Sequence, residues 1–72
     1  MIEKDVQNAF GVLAVRGESS ETVRGVRRLL GLPDSDLFDE SMEQRLRGFQ
    51  TVAGLVPNGW LTGLTYDRLR AV

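Results

Sequence analysis

Gly31-Leu32-Pro33-Asp34-Ser35-Asp36-Leu37-Phe38-Asp39 and, 23 positions later, Gly54-Leu55-Val56-Pro57-Asn58-Gly59-Trp60-Leu61-Thr62 carry one pattern twice. Each stretch holds a proline, then a turn pair (Ser35-Asp36, Asn58-Gly59), then two apolar residues, then a residue type that caps helices. The same shift lays Val23 on Leu46, Val26 on Phe49 and Leu46 on Leu69. A fixed period is the mark of stacked supersecondary units. The pattern predicts an all-α fold: a small three-helix bundle of two helix–loop repeats of about 23 residues each, closed by a third helix.

Outward from these loops, the helix boundaries follow from capping chemistry. Ser20 is a good N-cap, and Glu21 places an acid where the helix dipole favours one. That helix should run to about Leu30, with Gly31 as the left-handed residue after it. Val23, Val26, Leu29 and Leu30 are its expected buried face, with Arg24, Arg27 and Arg28 on the other. Asp39 caps the next helix, whose core stripe is Met42, Leu46, Phe49 and Ala53. Gly54 ends it. Pro57-Asn58-Gly59 is a turn, because proline fixes one φ and Asn-Gly accepts positive φ. Thr62 caps the closing helix, with Leu64, Tyr66, Leu69 and Val72 apolar.

Toward the N-terminus, Ile2, Val6, Phe10 and Leu13 recur at helical spacing. They predict a short extra N-terminal helix over residues 1–14, with a strand at Val12 to Val15 as the competing reading. The domain itself is expected to span residues 15–72.

The 72 residues allow one domain at most. A chain of this size buries only about 60% of its unfolded surface. Cysteine and histidine are both absent, which removes a disulfide framework and the commonest zinc ligands and general base. No metal or cofactor is expected. The net charge of −1 gives no case for nucleic acid or an anionic membrane. No apolar stretch nears the roughly 20 residues that span a bilayer. The opening Met1-Ile2-Glu3-Lys4-Asp5 has no cationic leader, so no secretory signal is expected. A helix-turn-helix reading fails as well, since its turn needs about 3–4 residues and Gly31 to Phe38 is twice as long.

The chain resembles the small peptidoglycan-binding domain found at the ends of bacterial cell-wall hydrolases and phage endolysins. The resemblance rests on Gly17, on Val23-Arg24-Gly25-Val26-Arg27-Arg28-Leu29-Leu30, on Gly31-Leu32-Pro33 and on Leu37-Phe38-Asp39. It continues through Phe49-Gln50, Ala53-Gly54-Leu55, Asn58-Gly59-Trp60-Leu61, Thr65-Tyr66 and Leu69. It covers residues 15–72 in order, with almost no gaps. Three positions depart from the family pattern: Arg27 stands for Gln, Asp36 for Gly, and Tyr66 for Trp.

The resemblance implies a non-catalytic module that anchors a lytic enzyme or a phage particle at the cell envelope. Its ligand would be the glycan or stem peptide of peptidoglycan. A sugar can stack on Trp60 or Tyr66, although a tryptophan in so small a domain is more often core. Arg24, Arg27 and Gln50 suit the carboxylates and amides of a peptide, and an ordinary solvated helix face is the competing reading. Asp39 and Glu43 lie one turn apart, but acids early in a helix are favoured anyway. Asp34 and Asp36 lack the ligand pattern of a calcium loop and read as turn residues. A second function is a protein–protein docking module such as a virion or tail component, with Ile2, Val6, Phe10 and Leu13 as its interface.

Overall fold

The computed structural model describes residues 11–71. They form strand β1 (Val12–Ala14), helix α1 (Glu21–Leu29), helix α2 (Glu40–Val52), strand β2 (Leu61–Thr62) and helix α3 (Gly63–Ala71). The described chain is therefore mostly helical, with three helices and one short two-stranded sheet.

The sheet corrects the all-α expectation, and β1 corrects part of the N-terminal helix. β1 and β2 pair antiparallel, Val12 with Thr62 and Ala14 with Leu61, across a bulge. The Gly63 N–H donates to the Gly11 carbonyl at 3.0 Å, which extends the ladder by one bond. Gly11 itself has φ +77°, a left-handed conformation that an α-helix does not admit. Leu13 therefore lies in a strand, and its side chain is exposed. Ile2, Val6, Phe10 and Val72 lie outside the described residues.

The expected caps form. Ser20 Oγ accepts from the Val23 N–H, Asp39 Oδ1 from the Met42 N–H and Thr62 Oγ1 from the Thr65 N–H. Gly31 and Gly54 end their helices at the same φ of +76°. Beyond each helix the hydrogen bonds repeat. Leu32 N–H donates to the Arg27 carbonyl at 2.9 Å, and Leu55 N–H to the Gln50 carbonyl at 2.8 Å. Arg45 Nη1 donates to the Leu30 carbonyl at 2.8 Å, and Arg68 Nη1 to the Ala53 carbonyl at 3.4 Å. In each case the last carbonyls of one helix are met by an arginine of the next.

The core holds Ala14, Val23, Val26, Phe38, Met42, Leu46, Leu61 and Leu69. Phe38 and Leu61 occupy equivalent loop positions and both are fully buried. Four expected core members of α1 and α2 move outward, Leu30 and Ala53 to half-buried positions among them. Leu29 is 53% exposed, and Phe49 is half-buried against the core. Helical geometry gives the reason, since residues advance about 100° each. Arg27 and Gln50 stand four residues after the buried Val23 and Leu46, within about 40° of them, so they take the inward positions.

Candidate binding site

The inward residue of each repeat is polar, and each holds its own loop. Arg27 is only 4% exposed. Its Nε and Nη2 donate to the Pro33 carbonyl at 3.2 and 3.0 Å. Its Nη1 donates to the Leu37 carbonyl at 3.1 Å and to Asp39 Oδ1 at 2.9 Å. Gln50 is fully buried. Its Nε2 faces Asn58 Oδ1, the Trp60 carbonyl and Thr65 Oγ1 at 3.0–3.1 Å, and its Oε1 accepts from the Gly59 N–H at 3.0 Å. The placing of Arg27 on the solvated face of α1 is thereby corrected. The donors of Arg27 and the amide of Gln50 point into the two loops, and neither residue lines the open surface.

The other candidate residues are closer to solvent. Arg24 lies on α1, where Nη1 donates to Asp34 Oδ2 at 3.0 Å and Nε to Glu21 Oε2 at 3.3 Å. The charge of Asp34, then that of Glu21, raises the basicity of this guanidinium above its ordinary value. Its counterpart Arg47 donates to the Pro57 carbonyl at 3.1 Å, so both arginines brace the loop that follows their helix. Trp60 is half-buried, and its backbone N–H donates to Asn58 Oδ1 at 2.9 Å. Tyr66 packs against the core, with the Arg70 guanidinium 5.3 Å above its ring. A cation over an aromatic face is a favourable contact and occupies that face. The five residues thus fall into separate places, and Gln50 and Trp60 touch through the Trp60 backbone carbonyl.

An open concavity lies elsewhere. An open groove of about 1070 Å³ runs along α2. Leu29, Leu30 and Leu32 form one wall, Phe49 and Val52 line the α2 side, and Leu69 comes from α3. Glu40, Ser41, Gln44 and Arg45 give it a polar margin. Gly48 lies in the lining, and a Cβ added there would meet nothing within 4 Å, so its missing side chain lowers the floor. Val52 is 89% exposed, which is high for an aliphatic residue. Sequence reasoning missed this groove because three elements assemble it. The available signal was Val52 itself, an apolar residue outside the α2 core stripe.

Asp34, Asp39 and Glu43 are engaged in the fold. The Met42 N–H, and then Arg27, hold Asp39 below its ordinary value of 3.8 against the opposing effect of burial. Glu43 Oε1 accepts from Arg16 Nη1 at 3.2 Å. Asp34 pairs with Arg24. Among the described residues no acidic cluster fit to hold a metal ion occurs, and no helix is long and apolar enough to cross a membrane. No protein-family model matches the chain, and no curated protein or solved structure matches it.

Proposed function

We propose that this chain is a non-catalytic module that binds bacterial peptidoglycan, through its glycan or its stem peptide, and anchors a lytic enzyme or phage particle at the cell envelope. On this reading the three helices are the bundle of the family it resembles, with the strand pair added beside it. One observation carries the proposal. The residues that bear the resemblance are the ones that build two equivalent loops, each locked by the inward polar residue of its own helix. A preformed first loop, which lends Leu32 to an open, partly apolar groove, suits a ligand with methyl groups, amides and carboxylates.

The test is a titration of the purified chain with soluble muropeptides, following Trp60 fluorescence and amide NMR shifts, beside a pull-down on purified sacculi. Binding through the groove predicts shifts on Leu32, Arg45 and Val52. V52D should then lower affinity at least several-fold while changing stability by no more than about 0.5 kcal/mol, as for an ordinary surface substitution. Sacculi that enrich the folded chain no better than a denatured control would overturn the proposal.

A second reading is a protein–protein docking module on the same fold. The exposure of Leu29 and Val52 on one groove favours it, since an apolar partner covers such side chains better than a sugar does. A folded chain whose amide spectrum is unmoved by saturating muropeptide would favour this second function.

A further inference from the structure

Asn58-Gly59 is the one Asn-Gly pair in the sequence. Such pairs undergo a defined reaction. The Gly59 backbone nitrogen, once deprotonated, attacks the side-chain carbonyl carbon of Asn58. The N–Cγ bond forms, the Cγ–Nδ2 bond breaks, and ammonia leaves with the displaced proton, giving a cyclic succinimide. Water then opens the ring at either carbonyl and leaves aspartate or isoaspartate. Glycine favours the closure because it has no side chain to obstruct it.

The folded loop opposes this reaction by holding the attacking nitrogen in a buried hydrogen bond and the Asn58 side chain in one fixed orientation. The Gly59 nitrogen is buried, and its N–H donates to Gln50 Oε1 at 3.0 Å, so deprotonation forfeits a buried hydrogen bond. Asn58 Oδ1 accepts from the Trp60 N–H at 2.9 Å and from Gln50 Nε2 at 3.1 Å, which fixes the side chain by two bonds. Outside the loop, Arg47 Nη1 donates to the Pro57 carbonyl, and Arg47 and Glu43 crowd the space beside Gly59. The first repeat has Ser35-Asp36 at the same place and offers no such chemistry.

We propose that Asn58 is a guarded deamidation site: Gln50 suppresses succinimide formation in the folded chain, and opening of the second loop releases it. Isoaspartate would then place an extra methylene in the backbone between residues 58 and 59. The Gly59 and Trp60 N–H groups would no longer reach Gln50 Oε1 and the residue-58 side chain together, so an opened loop that had reacted would not re-form.

The test compares three samples at neutral to mildly alkaline pH: the folded chain, the chain in denaturing urea, and Gln50→Ala. Peptide mapping follows the acid and isoaspartate forms at position 58. The folded chain should react at least about tenfold more slowly than the denatured chain. Gln50→Ala, while still folded, should react roughly tenfold or more faster than the parent, the factor set by losing one buried partner. A second measurement needs no mutation. In the parent at sub-denaturing urea, the rate should rise in step with hydrogen exchange at the Gly59 amide. Three results would each overturn the proposal: a folded parent that reacts as fast as the denatured chain, a folded Gln50→Ala at the parental rate, or a parental rate independent of Gly59 amide exchange.

Discussion

Arg27 and Asp36 are two positions where the repeats differ, and the structure links them. In the second repeat, Gln50 offers an acceptor, and its Oε1 draws in the Gly59 N–H on a backbone with φ +77°. Arginine has five donors and no acceptor. Arg27 therefore leaves the N–H of residue 36 alone and takes the Pro33 and Leu37 carbonyls instead. The first loop then has no need of positive φ at Asp36, and no non-glycine residue among the described ones adopts it. The Asp36 carbonyl accepts from the Ser20 N–H at 3.1 Å. R27Q alone should destabilise the chain by about 1–3 kcal/mol, because it breaks the pair with the part-exposed Asp39 and strands the loop carbonyls that Arg27 meets. Adding D36G restores the repeat-two chemistry. Urea unfolding of R27Q, D36G and the double variant should give a favourable coupling of about 0.5–3 kcal/mol. Strict additivity would mean that the two substitutions are independent.

At the scale of elements, capping explains why the helices were readable. Ser20, Asp39 and Thr62 each start a helix, and Gly31 and Gly54 each follow one. These are local rules that need no knowledge of the rest of the chain. Asp39 does more than cap, since Oδ1 also receives Arg27. Its pKa is depressed in the fold, chiefly by the Met42 N–H. The stability it contributes is therefore present above the unfolded value near 3.9 and is lost as pH falls through the lower folded value. The parent should show a loss of melting temperature below about pH 4 that D39N lacks, on top of a lower neutral plateau for D39N. Equal acid limbs in the two proteins would remove Asp39 from the cause. The strand pair was less legible, for a physical reason: β1 and β2 are three and two residues long, too short for a period to show. Val12-Leu13-Ala14-Val15 fits either type until its pairing partner is known. The inward turn of Arg27 and Gln50 was hidden differently. Polar residues at i+4 from a buried one read as surface unless a loop with free carbonyls waits behind them. The apolar groove was legible only through Val52, because its walls come from α1, α2 and α3.

For the whole molecule, one extended segment joins what the repeats leave separate. Residues 11–20 cross both loops. Val12–Ala14 pairs with Leu61–Thr62, and Gly63 N–H reaches Gly11. Further along, Gly17 N–H donates to the Phe38 carbonyl, Phe38 N–H to the Glu18 carbonyl, and Ser20 N–H to the Asp36 carbonyl. The buried Phe38 and Leu61 thus sit on backbone that this one segment holds in place. A domain this small has little stability to spare, so long-range ties count for much. Chains starting at residues 11 and 15 differ only by Gly11 and β1. The shorter one loses the ladder to β2 and the buried Ala14. With about 0.5–1.5 kcal/mol for each net hydrogen bond, the loss comes to roughly 2–3 kcal/mol. At about 4–8 °C per kcal/mol in this size class, that is a fall of roughly 10–20 °C in melting temperature. The first-loop bonds to Gly17, Glu18 and Ser20 survive the cut, so amide exchange should rise at Leu61, Thr62 and Gly63 well before it rises at Phe38. Equal melting of the two truncated chains would show that Gln50 and Arg47 hold the second loop without β1, and that β1 lies on the fold without supporting it.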